Sequence, residues 1–298
     1  MANISSFAED VYPALTKMIF DEMDRYPEMY PRIFNVESTD RWYDEQFSEV
    51  GYGLFAETGD QETYNQDDMY PGFYTRFRQV KYTKYFRVSE DLINFERYIE
   101  MGRRAKDLGQ KAQITRETIA ASVYNNAFTS TATFDGQPLF STAHPGYPGS
   151  GQTYSNRLTN FASLCFTAYQ QVLANLKTTV DERGILIMQI PKTLVVHPQN
   201  EVVAREILNS AGRPDTANNA SNELKNVFKG VDLFVYPFLT SPTMWFVICD
   251  TFYVFSYEFE KLKIRHETDP FNGDNMVFGR FYQAVGASHY LGLYAGSN

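Results

Sequence analysis

The sequence predicts an α+β fold organised around one long helix. Residues 73–88 are rich in Tyr, Phe and Val and contain no Gly or Pro, which is typical of an extended strand. Residues 89–128 contain no proline, and their apolar residues recur at steps of three and four, as in an amphipathic helix. In the rest of the chain, predicted helices and strands mix without regular βαβ alternation. This mixture indicates α+β and not a doubly wound parallel sheet.

A short amphipathic helix is predicted near the N-terminus. Its apolar face comprises Leu15, Met18, Ile19 and Met23. We expect the helix to end before Tyr26-Pro27, because proline disfavours a helical conformation in the residue that precedes it. The residues that follow have no clear core pattern, and we interpret them as an arm.

Residues 37–68 are strongly acidic and contain a single basic residue, Arg41. Glycines and a Pro-Gly pair punctuate the chain here, which predicts a flexible loop or hairpin tip. The strand that follows carries no acidic residue; its basic residues are Arg76, Arg78, Lys81, Lys84 and Arg87. We therefore predict that the acidic limb (37–68) and the basic strand (73–88) meet in a two-stranded excursion with too little apolar surface for a core of its own. Because an isolated hairpin is marginally stable in water, we expect this excursion to lie on another surface.

The long helix is predicted to begin at Ser89, whose hydroxyl can accept hydrogen bonds from the first free N–H groups. Glu90 and Asp91 favour the positive end of its dipole. Its predicted apolar stripe comprises Leu92, Phe95, Ile99, Ala105, Leu108, Ala112, Ile119, Val123 and Ala127. At about 1.5 Å per residue, a helix over 89–128 would approach ~60 Å, which is longer than a domain of this size needs. We expect a partner beyond the chain's own core to use that length.

Two glycines interrupt this helix. Gly102 and Gly109 are seven residues apart and therefore share one face. Each costs up to about 1 kcal/mol of helix propensity relative to Ala. We predict that another backbone passes close to the helix at these positions.

The second half of the chain predicts a series of shorter elements. The predicted helices are Asn160–Lys177 and about Asn200–Asn209, the latter with Ala211-Gly212 as a C-cap. The predicted strands are Ile185–Ile190, Thr193–His197, 231–238, 244–249, 252–266 and 276–285. A turn at 134–138 and a Gly/Pro-rich loop at 145–157 separate these elements from the long helix.

The composition excludes several classes of protein. A hydrophobic content of 43% and a charged content of 21% indicate an ordered globular protein. The net charge of −9 argues against attraction of the whole protein to nucleic acid or to an anionic membrane. The N-terminal residues show no secretory signal pattern, and no apolar run is long enough to span a bilayer. Cys165 and Cys249 each lie in an apolar pattern, which predicts two buried free thiols in a soluble protein of a reducing compartment.

The sequence contains no motif for nucleotide binding, metal binding or a nucleophile elbow, so we expect no cofactor, no metal and no enzymatic activity. Asp135, Ser141 and His144 could be imagined as a nucleophilic set. No strained nucleophile turn or oxyanion site accompanies them, so an uncharacterised hydrolase is the weakest of the interpretations.

A second alternative is a single-stranded nucleic-acid-binding module that uses the basic aromatic strand 73–88. Its stacking residues would be Tyr74, Phe77, Tyr82 and Tyr85. The acidic stretch immediately upstream would neutralise its charge, so charge pairing within or between subunits is the favoured interpretation of this strand.

Three segments resemble the major capsid proteins of tailed bacteriophages. Lys81–Ile93 has their pattern of strand, Ser cap and long helix. The segment Asp135-Gly-Gln-Pro-Leu-Phe-Ser-Thr-Ala-His-Pro145 resembles the corresponding part of the Mu-like major head subunits, and Lys192–Leu208 is similar to their strand-then-helix segment. The likeness covers roughly residues 40–298.

The resemblance implies the Hong Kong 97-type fold and a structural role as the major capsid protein. It implies an N-terminal arm (1–45), an extended loop (46–88), a peripheral domain with the long helix as its spine (89–158 and 252–285) and an axial domain (159–251 and 286–298). Hexamers and pentamers of the chain would form an icosahedral shell around double-stranded DNA, in a virion assembled in the bacterial cytoplasm. Because the chain carries no long N-terminal scaffolding region, we expect a separate scaffolding protein. A portal and a decoration protein are the further partners that the family implies, and no membrane is involved.

In such a shell, we expect the charges of the extended loop to pair across subunit boundaries. The basic candidates are Arg76, Arg78, Lys81, Lys84 and Arg87, and the acidic candidates are Asp60, Glu62, Asp67 and Asp68. Exposed ion pairs contribute less than about 1 kcal/mol each, but a lattice repeats them many times. Gly102 and Gly109 are the candidates for close helix packing.

Overall fold

A computed structural model describes residues 4–60, 63–89, 91, 98–146, 151–160, 163–213, 221–227 and 230–296. Its helices are α1 (Ile4–Asp24), α2 (Tyr98–Asn125), α3 (Phe166–Lys177), α4 (Glu201–Asn209) and α5 (Leu224–Val227). Its strands are β1 (Asn35–Ser38), β2 (Tyr43–Val50), β3 (Tyr70–Arg78), β4 (Val80–Val88), β5 (His144–Pro145), β6 (Thr153–Tyr154), β7 (Pro191–Val196), β8 (Asp232–Val235), β9 (Trp245–Cys249), β10 (Val254–Thr268), β11 (Asn275–Ala287) and β12 (Leu293–Ala295). The predicted α+β class is confirmed.

The chain divides into two compact units. The first unit comprises Met1–Asp44, Phe77–Ala120 and Ser256–Val285. The second unit comprises Glu45–Arg76, Ala121–Phe255 and Gly286–Asn298. Each unit therefore draws on segments that are far apart in the sequence.

The first unit contains a sheet of four strands in the order β1-β10-β11-β4. β4 lies at an edge of this sheet and runs antiparallel to β11. Helices α1 and α2 pack with the sheet around one core, which contains Leu15, Ile19, Val88, Met101, Ala105, Leu108, Leu262, Val277 and Phe281. Burial of a Leu or Ile side chain contributes about 1.5–3 kcal/mol, so Leu15 and Ile19 hold α1 on this unit.

The second unit is built on a sheet with the order β12-β9-β7-β8. β7 is parallel to β8 and antiparallel to β9. Every residue of β9 is buried, as its uninterrupted apolar sequence predicts for a central strand. α3 packs in the same core, which contains Tyr169, Val172, Leu176, Leu194, Val196, Trp245 and Val247. Two smaller sheets consist of β2 with β3 and of β5 with β6.

The predicted strand 73–88 is extended, but it is not one continuous strand, because Gln79 separates β3 from β4. The Gln79 N–H donates to the carbonyl oxygen of Trp42 at 3.1 Å, and its Nε2 donates to that of Tyr257 at 3.4 Å. The Gln79 side chain is buried. Consequently β3 pairs with β2 in a two-stranded sheet, whereas β4 pairs with β11 in the four-stranded sheet.

The long helix is confirmed as α2, which has 28 residues and a length of about 42 Å. Residues 90 and 92–97 lie outside the described residues, and with them Leu92 and Phe95 of the predicted stripe. Ile99 does not belong to the buried stripe, since it is 81% exposed. The helix ends at Asn125 instead of Phe128, because the chain turns with an Ala127 N–H bond to the Tyr124 carbonyl.

The later strands are close to their predicted positions, with one exception at Ile185–Ile190. This segment contains no strand, because a turn precedes it: the Asp181 carboxylate accepts hydrogen bonds from the N–H groups of Arg183 and Ile185 at 2.9 and 2.8 Å. Gly184 completes that turn with φ = +82°. The apolar residues of the segment are largely exposed, so their pattern indicates surface and not core.

The termini of the predicted helices also shift, for a local reason. α3 begins at Phe166 and not at Asn160, because the Cys165 Sγ accepts the Ala168 N–H at 3.4 Å and caps the helix. α4 has its C-cap at Ser210, one residue before the predicted Ala211-Gly212. Both cysteines are free, as predicted; Cys249 is buried and Cys165 is half-buried. Burial, together with the charge of the neighbouring Asp250, raises the pKa of the Cys249 thiol to about 12.

Candidate interaction surface

Within the extended loop (46–88), the connection between β2 and β3 exposes large apolar side chains. Phe55 is fully exposed, Tyr64 is 92% exposed and Leu54 is 78% exposed. Tyr52 is also more than half exposed. Soluble monomers rarely leave so many neighbouring apolar groups in water, so this loop is a candidate contact surface.

A clasp made by Arg183 and Asp67 fastens this loop to the turn at 181–185. Arg183 Nη1 donates to Asp67 Oδ2 at 2.8 Å, and its Nη2 donates to the carbonyl oxygen of Asp68 at 2.8 Å. The Gly53 N–H donates to the same Asp67 oxygen at 2.5 Å. The bond from Gly53, followed by that from Arg183, holds the pKa of Asp67 below its ordinary value. The clasp thus joins both limbs of the loop.

The basic residues predicted as contacts fall into two groups. Arg76 pairs with Glu45 at 2.6 Å, and Arg87 lies 3.4 Å from Asp269. The charges of Arg76, Arg87 and Asp67 are therefore compensated within the chain, and their role between subunits stays a prediction. Arg78 lies over the ring of Trp42, with 5.7 Å between the guanidinium carbon and the ring centroid.

Lys81 and Lys84 form the second group. Both are exposed on β4, and among the described residues no carboxylate lies within ion-pair distance of either ammonium group. Asp60 and Asp68 are exposed acids, and among the described residues no Lys or Arg side chain lies within ion-pair distance of either carboxylate. Glu62 lies outside the part of the chain that the structure describes.

A cavity of about 140 Å³ lies between β4, β11 and α2 in the first unit. Apolar lining comes from Leu108, Leu262 and Phe281, and two lysines, Lys84 and Lys111, also line it. An apolar floor beside two cationic groups suits a ligand segment that is both apolar and acidic.

The two glycines of α2 face α1. A Cβ atom at Gly109 would lie 2.2 Å from the Ile19 carbonyl oxygen, and a Cβ at Gly102 would lie 3.3 Å from the Met18 Sδ. This geometry supports close helix packing at Gly109, where the neighbour is backbone. At Gly102 the neighbour is a flexible side chain.

The aromatic residues of strand 73–88 do not form one stacking platform. Phe77 is 5% exposed, and its ring lies 5.2 Å from that of Tyr257. Tyr82 stacks on Phe281 at 5.1 Å. Tyr74 and Tyr85 are the exposed members of the predicted set, which leaves too few free rings in a row to support the nucleic-acid alternative.

The Asp135–His144 pair exists, but it is not a catalytic arrangement. His144 Nδ1 lies 2.6 Å from Asp135 Oδ2, and both side chains are completely buried. His144 Nε2 faces Asn156 Oδ1 at 3.2 Å, while the Ser141 hydroxyl accepts the Ala143 N–H. Burial raises the pKa of Asp135, but hydrogen bonds from His144, Thr133 and the Gln137 N–H outweigh it and lower the pKa. The set stabilises this segment and offers no activated nucleophile.

A buried ionic network around Arg116 was not predicted from the sequence. Arg116 Nη1 pairs with Glu28 at 2.6 Å, and its Nη2 pairs with Glu258 at 2.5 Å. The same Nη2 donates to the Tyr30 hydroxyl at 2.5 Å. The neighbouring Glu117 accepts the Met29 N–H at 2.6 Å. Residues 28–30 of the predicted arm are therefore fixed to α2 within the first unit.

Two further searches concern the described residues only. No group of three or more His, Cys, Asp or Glu residues in this part of the chain could hold a metal ion. None of the described helices is long and apolar enough to cross a membrane.

Comparisons with known proteins agree with these observations. A family model described as phage capsid protein matches residues 73–296. No curated protein matches the sequence. The fold is similar to the capsid of Ralstonia phage GP4, with a TM-score of 0.58, 11% identity and coverage of 89% of this chain and 86% of that one.

Two more solved structures share the fold. The virus-like particle from Pyrococcus furiosus has a TM-score of 0.53 and 9% identity, over 96% of this chain and 98% of that one. The procapsid of bacteriophage JBD30 has a TM-score of 0.53 and 11% identity, over 98% of this chain and 75% of that one. At these identities the similarity shows the fold alone, and it confirms the predicted capsid architecture.

Proposed function

The chain belongs to the phage capsid protein family, and from that premise we propose that it self-assembles into an icosahedral shell that encloses double-stranded phage DNA. Membership in the family makes it a major capsid protein, a structural component of a bacteriophage head. The proposed shell consists of hexamers and pentamers of this chain, located in the virion after assembly in the host cytoplasm. A scaffolding protein, a portal and a decoration protein are its proposed partners.

The exposed apolar loop carries this proposal. Phe55, Leu54 and Tyr64 leave a large apolar surface in water, next to the exposed acid Asp60. The cavity beside α2 has the complementary character, because it combines an apolar floor with Lys84 and Lys111. We propose that the loop of one subunit packs on this cavity of a neighbour. Repeated contacts of this kind would join neighbouring chains into a shell and bury the apolar loop at the interfaces between them.

The proposed domain organisation follows the same logic. We propose an arm at 1–45, an extended loop at 46–88, a peripheral domain at 89–158 and 252–285, and an axial domain at 159–251 and 286–298. The presence of α2, β10 and β11 in one core supports the peripheral domain. We also propose membership of the Mu-like subfamily, on the motif Asp135–Pro145, in which Asp135 and His144 make the buried pair.

We propose that the chain is not an enzyme and that its contact with DNA is weak. The Asp135–His144 pair is enclosed and its second ring nitrogen faces an amide, so it offers no activated nucleophile. The net charge of −9 favours an inner wall that does not grip the packaged DNA.

Co-expression with the cognate scaffolding protein tests the proposed function. Sedimentation and electron microscopy should show closed particles of megadalton mass that contain this chain. If sedimentation shows only monomers or dimers with the scaffold present, the proposal of a self-assembling shell subunit is wrong.

A further inference from the structure

A cavity of about 270 Å³ lies in the second unit at the base of the extended loop. Part of its wall comes from β2 and the residue after it, namely Gln46, Phe47, Ser48, Val50 and Gly51. Asp181, Glu182 and His289 line it together with Phe134 and Tyr253. The turn at 181–185 thus contributes twice to the loop: Arg183 clasps it, and the two preceding carboxylates line this cavity. A ligand bound here would contact the base of the loop directly.

The cavity carries uncompensated negative charge. The Leu291 N–H donates to His289 Nδ1 at 3.0 Å, so the ring proton resides on Nε2, which faces Glu182 Oε1 at 3.0 Å. In this tautomer His289 is a hydrogen-bond donor to Glu182 and not a cation beside it. The Asp181 carboxylate accepts two backbone N–H groups, and among the described residues no Lys or Arg lies within ion-pair distance of Asp181 or Glu182. Two negative charges remain at the cavity wall.

Aromatic rings complete the site. The Phe134 ring lies 4.5 Å from that of His289, and the Tyr253 ring lies 5.5 Å from it. Carboxylates beside aromatic faces suit an ammonium or guanidinium group, which gains from both. A metal ion is a poorer fit, because both nitrogens of His289 already make hydrogen bonds.

We propose that this cavity accepts the ammonium group of a lysine from a second copy of the chain, supplied by Lys81. The inference rests on the proposed function, since it needs neighbouring copies. Charge complementarity carries it: Lys81 is exposed on the edge strand β4 and has no carboxylate partner among the described residues, and no Lys or Arg of those residues pairs with Asp181 or Glu182. Occupation of the cavity would fix the base of one subunit's extended loop to β4 of the next.

The test removes the charges and keeps the intrachain hydrogen bonds. In an Asp181→Asn and Glu182→Gln double variant, the amide oxygens still accept the bonds that Oδ1 and Oε1 accept. We expect the concentration needed for particle assembly with scaffold to rise about tenfold or more, as for the loss of a desolvated charge pair. A control variant, Glu206→Gln with Asp250→Asn, changes the same charge at exposed positions outside the cavity and should assemble like the wild type.

A second pair of variants identifies the partner and is independent of cavity folding. Lys81→Gln should raise the assembly concentration by a similar factor, and adding the cavity changes should then cause little further loss. Multiplied effects of Lys81→Gln and the cavity changes would overturn the assignment of Lys81. Wild-type assembly by the cavity variant would overturn the site. Binding of free ethylamine to the unassembled subunit, lost in the cavity variant while both variants assemble normally, would show a small-molecule site and also overturn the proposal. Failure of the wild type itself to form particles would instead reject the proposed function.

Discussion

The carbonyl oxygen of Ile19 on α1 approaches Gly109 on α2 so closely that a Cβ atom there would lie only 2.2 Å away. Gly102 lies seven residues earlier on α2, and a Cβ atom there would lie 3.3 Å from the Sδ of Met18. The two glycines therefore differ in what surrounds them: backbone that cannot yield at one, and a flexible side chain at the other.

Gly109→Ala should destabilise the unassembled subunit, because overpacking against backbone costs about 1–3 kcal/mol and exceeds the gain in helix propensity. Gly102→Ala should be neutral or stabilising by up to about 1 kcal/mol, since Met18 can move. Thermal unfolding of the two variants measures the difference, and each serves as the control for the other. Equal stabilisation by both would contradict close packing at Gly109. Leu at position 109 should be worse than Ala.

Arg116 should be one of the most sensitive positions of the first unit. The Arg116 side chain is only 3% exposed, and the Glu258 side chain is 8% exposed. Burial lowers the pKa of Arg116, but Tyr30, Glu258 and Glu28 outweigh it and raise the pKa, so the charge persists. Arg116→Met leaves Glu258 buried without its cation and should cost about 3–5 kcal/mol in the free energy of unfolding.

Denaturant titration of Arg116→Met measures this loss, and the double variant with Glu258→Gln is its control. Removal of both charges should recover part of the stability, because the uncompensated carboxylate is then absent. A single variant as stable as the wild type would show that the network contributes little.

The sequence predicted the helices and strands of this fold better than it predicted the contacts between them. α2 and the strands β9 to β11 were predictable because their patterns are local. The break at Gln79 depends on the Trp42 and Tyr257 carbonyls, which no local pattern reveals. Arg116 likewise finds Glu258 across 142 positions. The exposed apolar segment at 185–190 was predicted as a strand because its residue types are those of a buried strand, and the sequence pattern does not reveal their exposure.

His266 should make the docking of α1 sensitive to pH. Its Nε2 lies 2.7 Å from the Thr16 Oγ1, and its ring stacks on Tyr12. Burial lowers the pKa of His266 below 6.5. The unfolded chain therefore takes up the proton more readily, so the stability contributed by neutral His266 is present above the unfolded pKa and is lost as the pH falls towards the folded one.

Unfolding measured between about pH 7.5 and pH 5.5 tests this expectation, with His266→Gln as the comparison. The wild type should lose more stability across this range than the variant does, because the variant lacks the titrating ring. Identical pH profiles would exclude His266 as a contributor. The Glu182–His289 pair remains intact in both proteins, so it cancels in the comparison.

The apolar tip of the extended loop should matter for assembly and not for folding. Leu54 and Phe55 are 78% and 107% exposed, so replacing both with Ser removes almost no intrachain contact, and surface changes of this kind usually alter stability by less than about 0.5 kcal/mol. The same change should sharply reduce particle yield if the tip enters the cavity beside Lys84 and Lys111 of a neighbour. Leu186→Ser with Met188→Ser is the matched control, because it alters an apolar pair outside the loop that is also mostly exposed, at 61% and 72%. Particle yield by sedimentation, compared with thermal unfolding of each unassembled variant, separates the two effects. Normal particles from the Leu54→Ser and Phe55→Ser variant would rule out this tip as a lattice contact, and an equal loss in both pairs would mean that exposed apolar area in general, and not this loop, drives association.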